Sequence, residues 1–97
     1  MPIYISLTKL TEQGAKNIKD APRRIEETLK NVEAFGGKRI GFYKLMGEYD
    51  YLTIREFPSD EAAMIAQMNS LSKGNYKGLM FKAFTEKEFL EMVRKIP

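Results

Sequence analysis

Apolar and polar positions alternate from the start of the chain: Ile3, Ile5 and Leu7 interleave with Tyr4, Ser6 and Thr8. A period of two predicts a strand with two unlike faces. Thr11-Glu12-Gln13-Gly14 interrupts it, and Gly14 marks a loop or short irregular turn. Asp20 with Pro22 close behind predicts the capped start of a helix. Ile25, Leu29, Val32 and Phe35 then form one apolar stripe, while Arg23, Glu26, Glu27, Lys30 and Asn31 cover the other side, Glu26 and Lys30 as an i, i+4 pair. Gly36-Gly37 closes that helix. Lys38–Met46 and Tyr51–Phe57 read as strands joined by the tight connection Gly47-Glu48-Tyr49-Asp50, which makes them an antiparallel hairpin, and Pro58 ends the second strand. Ser59 or Asp60 caps a second helix, which Lys73-Gly74-Asn75 stops. Tyr76–Phe84 is a fourth strand. Thr85 and Glu88 form a capping box for a last helix carrying Phe89, Met92, Val93 and Ile96.

The order β-α-β-β-α-β plus a C-terminal helix specifies a single α+β domain over residues 1–97. It is the ferredoxin-like plan, with two helices on one face of a four-stranded antiparallel sheet. Ile3, Ile5, Leu7, Leu52, Ile54, Leu79, Phe81 and Ala83 form the more apolar face and are expected beneath the helices. The other face reads Tyr4, Ser6, Thr8, Tyr51, Thr53, Arg55, Met80, Lys82 and Phe84, joined by Gly41, Tyr43 and Leu45 from the second strand. It is too aromatic for open solvent and too polar for a dry core. Two such sheets packed face to face would cover it and leave a polar-aromatic cavity between them, so the second face predicts a homodimer or higher homo-oligomer.

Composition narrows the chemistry. The 97 residues include no cysteine and no histidine, which removes disulfides, thiolate catalysis and the usual zinc, haem and triad arrangements. No cofactor and no metal are expected. The six methionines read as core filler rather than a copper site. The net charge of +3 comes from 16 basic and 13 acidic side chains that are interleaved, as solvated mixed helix faces are. Nucleic acid is therefore not an expected partner. The first residues show no secretory leader and no apolar stretch is long enough to span a bilayer, so a soluble, cytoplasmic protein without a membrane partner is expected.

The stretch Gly41-Phe42-Tyr43-Lys44-Leu45-Met46-Gly47-Glu48-Tyr49-Asp50 resembles the signature of the GYD-domain proteins, whose Gly-x-Tyr-Asp run is here Gly47, Tyr49 and Asp50. Tyr4-Ile5-Ser6-Leu7, Gln13-Gly14, Asn17-Ile18-Lys19-Asp20, Pro22-Arg23, Gly36-Gly37-Lys38, Pro58-Ser59-Asp60-Glu61-Ala62 and Ala83-Phe84-Thr85-Glu86 extend the resemblance over nearly the whole chain. It implies small bacterial or archaeal proteins with a dimeric α+β barrel fold. It implies no activity, because one fold hosts many functions.

Two groups of residues are candidates for a site. Tyr4, Ser6, Tyr43, Tyr51, Thr53, Arg55 and Lys82 would line a small-molecule pocket, with Arg55 or Lys82 pairing with a carboxylate or phosphate. Equally, the tyrosines would fill an interface and the two cations pair with acids. Gly47, Glu48, Tyr49 and Asp50 offer two carboxylates for a cation or for proton transfer, but fit a turn better: a permissive glycine, an aspartate accepting turn hydrogen bonds and a plugging tyrosine. Lys19, Arg23 and Arg24 at a helix start would suit an anion, but Asp20 as cap already occupies that place. The favoured reading is an oligomeric small-molecule-binding module, with a regulatory role open to it. The alternatives are a cofactor-independent monooxygenase- or isomerase-like enzyme on a carbonyl or phenolic substrate, with tyrosine and Glu48 or Asp50 moving protons, and a structural oligomer without a pocket.

Overall fold

Strand β1 (Ile3–Leu10) lies inside the sheet because both of its edges find an antiparallel partner. In the computed structural model, which describes residues 1–97, the strands stand in the order β2 (Lys38–Lys44), β3 (Tyr51–Glu56), β1 and β4 (Tyr76–Ala83). Helices α2 (Ala21–Ala34) and α3 (Asp60–Leu71) make the two crossovers and α4 (Glu86–Arg94) follows β4. This is the ferredoxin-like α+β fold. The hairpin and the capping box of Thr85 with Glu88 are as the residues predict. Ser59 is the cap of α3, its Oγ accepting from the Ala62 N–H at 3.1 Å. No helix is long and apolar enough to cross a membrane.

Three local expectations are corrected. Thr11-Glu12-Gln13-Gly14 is not a plain turn: Thr11 caps a short helix α1 (Glu12–Lys16), its Oγ1 accepting from the Gly14 N–H at 3.1 Å. Asp20 precedes α2 but its carboxylate makes no capping bond, because Arg23 takes it as an ion pair. The methionines are not core filler. Met46, Met64, Met68 and Met92 are exposed, and only Met80 packs against the core.

The larger correction concerns the sheet faces. The helices lie over the face of Tyr4, Ser6, Tyr51 and Arg55, and all four are buried. The core joins Tyr4 and Phe57 to Val32 of α2 and Ala63 and Ala66 of α3. The small Ala63 and Ala66 let α3 approach the sheet closely, and the Tyr4 and Phe57 rings meet edge to face at 5.8 Å. Asn31 ties the two helices, donating to the Ala66 carbonyl at 2.8 Å and accepting from Asn69 at 2.7 Å. The more apolar face, expected underneath, is open: Leu79 and Phe81 are 48% and 49% exposed. Gly41 and Tyr43 belong to this open face, since they stand opposite Ile54 and Leu52, whereas Phe42 stands opposite Thr53. A bulge between Arg39 and Gly41 sets this phase in β2.

Arg24 is buried and turned inward. It donates to the Asn17 carbonyl at 2.8 Å and the Gly14 carbonyl at 3.0 Å, which fixes α1 and the following 3₁₀ turn against α2. Gly14 itself is buried where a β-carbon would stand 2.3 Å from the Asn75 carbonyl oxygen. Replacing a helical glycine by alanine ordinarily helps a helix by up to about 1 kcal/mol. Here Gly14→Ala is expected to destabilise by about 1–3 kcal/mol through overpacking. Thermal denaturation checks it, with Tm falling about 4–8 °C for each kcal/mol in a domain of this size.

Candidate functional site

The covered sheet face and the helices do not meet everywhere. Between them lies a cavity of about 70 Å³. Its floor is Ser6, Thr8, Tyr51, Thr53, Arg39 and Arg55 of the sheet, and its roof includes Ile25, Leu29 and Val32 of α2 and Leu71 of α3. Ligand pockets for drug-sized molecules run to roughly 300–1,000 Å³, so this space suits a molecule of a few heavy atoms or ordered water. Four of the seven residues predicted for a pocket (Ser6, Tyr51, Thr53 and Arg55) share this cavity. They are brought together under the helices of one chain.

Arg55 is the most unusual of them. It is 6% exposed, donates through Nη2 to Ser6 Oγ and lies over the Phe57 ring at 5.8 Å. Its Nε has no partner and no acid pairs with it. Burial alone holds its guanidinium below the usual arginine range. No aspartate or glutamate lines the cavity.

The remaining three predicted residues go elsewhere. Tyr4 and Lys82 converge on Asp60 in the first turn of α3: the Tyr4 hydroxyl donates to Asp60 Oδ1, and Lys82 Nζ pairs with the same oxygen at 2.9 Å. Those two contacts, the Tyr4 bond foremost, hold the Asp60 carboxyl below its usual range. Burial first, then the hydrogen bond and charge of Asp60, push the Tyr4 phenol up to about 12. Tyr43 stands 58% exposed on the open face.

The Gly47–Asp50 run is occupied with holding its own turn. Gly47 has φ +119°, in the left-handed region that favours glycine. Asp50 Oδ2 accepts from the Leu10 N–H at 2.8 Å and Oδ1 from Lys44 Nζ at 3.4 Å, and these hold its carboxyl below the usual range, the Leu10 N–H most. Its backbone N–H donates to the Thr8 carbonyl at 2.8 Å, and its carbonyl accepts from the Leu45 N–H at 2.8 Å. Glu48 pairs with Lys9 at 3.2 Å, and that lysine lies over the Tyr49 ring at 5.1 Å. The motif thus pins the β2–β3 turn to the end of β1.

Residue-by-residue reading of the sequence missed Arg39, Phe42, Ile25, Leu29 and Asp60. The helix residues were visible as an apolar stripe, but a stripe does not say whether it touches protein or a void. Phe42 was put out of phase by the bulge, for which Gly41 in mid-strand is the one local signal.

The sheet order, the two crossover helices and the turn motif define an α+β domain of the ferredoxin-like class. Residues 4–93 match the GYD domain, and the chain belongs to that family. It is 31% identical over 86 residues to the glutamine synthetase and cystathionine beta-lyase binding protein of Thermus thermophilus, a match that covers 86% of this chain and 88% of that protein.

The Tyr4 contact sets a pH dependence. A phenol raised from 10 to about 12 on folding contributes stability that is complete below pH 10 and is lost as the pH rises toward 12. Tyr4→Phe is expected to remove the last phenolate absorbance step in an alkaline titration and to flatten the fall in stability over that window. An unchanged titration curve in the variant would place the raised phenol elsewhere.

Proposed function

We propose that this protein is a binding module that pairs with a second copy of itself through the open sheet face and presents its outer surface to another protein. The observation that carries the reading is that apolar face: Ile3, Ile5, Leu7, Leu52, Ile54, Leu79 and Phe81 alternate onto it, and no element of the chain covers it. The chain as a whole exposes more surface than a compact monomer of its size. The accessible surface is 6678 Å², about 1,000 Å² above the roughly 5,700 Å² of a compact monomer of this mass. A standard interface removes about 800 Å² per partner. The radius of gyration, 14.9 Å, likewise exceeds the about 12.5 Å of a compact chain of this length.

Helix α4 supports the same arrangement. Its residues Phe89, Leu90, Met92 and Val93 are between 44% and 57% exposed, and none of the helix is buried within its own chain. A capped amphipathic helix whose apolar residues stand half-exposed suits a contact with the second copy. The exposed methionines are the adaptable kind of surface that interfaces use. A role toward another protein rests on the Thermus relative, which is named for binding glutamine synthetase and cystathionine beta-lyase.

A second reading places a small ligand within each protomer, in the cavity under the helices rather than between two sheets. The unpartnered Arg55 Nε favours it. Proton-transfer chemistry by Tyr43 with Glu48 or Asp50 has no such support: Tyr43 stands on the open face, and both carboxylates are engaged by lysines, Asp50 also by the Leu10 N–H.

Sedimentation equilibrium at micromolar concentration is expected to give a mass about twice 11.2 kDa. Ile54→Glu with Phe81→Glu should halve that mass while the far-ultraviolet dichroism stays native, because the substituted side chains leave the helix-covered core untouched. A native protein that sediments as a monomer would remove the dimer. Saturable binding to purified glutamine synthetase in biolayer interferometry is expected for the dimer, and its absence would remove that partner.

A further inference from the structure

Arg39 of β2 and Arg55 of β3 stand directly opposite each other in the sheet register, and both line the cavity. Like charges directly opposite on neighbouring strands repel. Usually such a pair is separated by an acid or turned out to water. Here only Arg39 keeps part of its surface in water. No acid lines the cavity, neither arginine has an ion-pair partner, and Arg55 is more than nine-tenths buried with its Nε unpartnered. The contrast with Arg24 is informative. That guanidinium is equally buried and its Nε is likewise unpartnered, but two backbone carbonyls accept from its other nitrogens. Arg55 has only the Ser6 hydroxyl within the chain.

The rest of the cavity says what would complete it. The Ser6 hydroxyl accepts from Arg55 and Thr53 lines the same floor, while Ile25, Leu29, Val32 and Leu71 supply the apolar part of a roof that Thr28, Gln67 and Ser70 also line. One end of an occupant is therefore anionic and the other apolar, and the about 70 Å³ available limits it to a few heavy atoms. A planar carboxylate matches the fork of a guanidinium. We propose that the cavity is a binding site for a small aliphatic carboxylate, with its carboxylate between Arg39 and Arg55 and its hydrocarbon body against α2 and α3. This rests on the reading of the cavity as a ligand site and adds the ligand's chemical class. Burial without a counter-ion lowers the basicity of Arg55, as expected of a cation waiting for an anion.

The test is a titration of the full chain followed by amide NMR, at constant pH and ionic strength, with isobutyrate, its neutral isostere isobutyramide and inorganic phosphate. Isobutyrate is expected to shift the amides of Ser6, Thr53 and Arg55 saturably, and isobutyramide to bind at least tenfold more weakly. Arg55→Met, which keeps the length and apolar stem of the side chain, should weaken isobutyrate binding at least tenfold and leave the dimer mass unchanged. Arg39→Met provides the same comparison from the more exposed arginine, should the first variant misfold. Equal binding of isobutyrate and isobutyramide would overturn the carboxylate assignment while leaving a ligand cavity in place. Tighter binding of phosphate, or undiminished isobutyrate binding by a folded arginine variant, would overturn it as well. No saturable shift with any of the three would overturn both the assignment and the ligand cavity.

Discussion

Two long helices cover one face of a four-stranded sheet and cannot cover the other. In this chain the covered face carries Tyr4, Ser6, Thr53 and Arg55, while the open face carries Ile3, Ile5, Leu7, Leu52, Ile54 and Phe81. The distribution inverts the usual arrangement of a small soluble domain, in which the most apolar face is the one buried by its own helices. The proposed pairing with a second copy would bring the same face against it by symmetry. The same pairing would account for the exposed apolar residues of α4 and the surplus accessible area.

The covered face has a different problem, which is how to bury polar groups. It solves it in two ways and leaves a third group open. Tyr4 reaches Asp60, which sits in the first turn of α3 where a helix favours negative charge, and Lys82 completes the group from β4. Arg24 is held by two backbone carbonyls around the α1 turn, with its Nε alone left without a partner. Arg55 has only the Ser6 hydroxyl and lines the cavity under the helices. A buried polar group without a partner is costly, so its position beside a cavity and opposite a second arginine marks the place where the folded chain is incomplete.

The Gly47–Asp50 motif belongs to the architecture and not to that site. Its glycine takes a left-handed turn conformation, and its aspartate clamps the turn to the end of β1 through the Leu10 N–H. A motif can recur in a family because the fold needs it, and here both of its carboxylates have structural partners.

Period-two alternation, helix stripes and turn residues determined the strands, the helices, the ferredoxin-like order and the existence of two unlike sheet faces, because each depends on residues close together in the chain. They also brought Ser6, Tyr51, Thr53 and Arg55 onto one face, since a strand's parity and the hairpin pairing are local. Which face the helices would cover was decided only in three dimensions. Alternation distinguishes two faces without saying which way a crossover will turn, and the apolar count pointed to the wrong one: the helices docked over Tyr4, Ser6, Tyr51 and Arg55 and left Leu79 and Phe81 open. The bulge at Arg39–Gly41 shifted Tyr43 away from the expected group and Phe42 into it. The meeting of Tyr4 with Asp60, 56 residues apart, and the void beside Arg55 likewise exist only when the helices are docked. Contact between distant segments is set by how whole elements pack, and no short stretch of sequence carries that information.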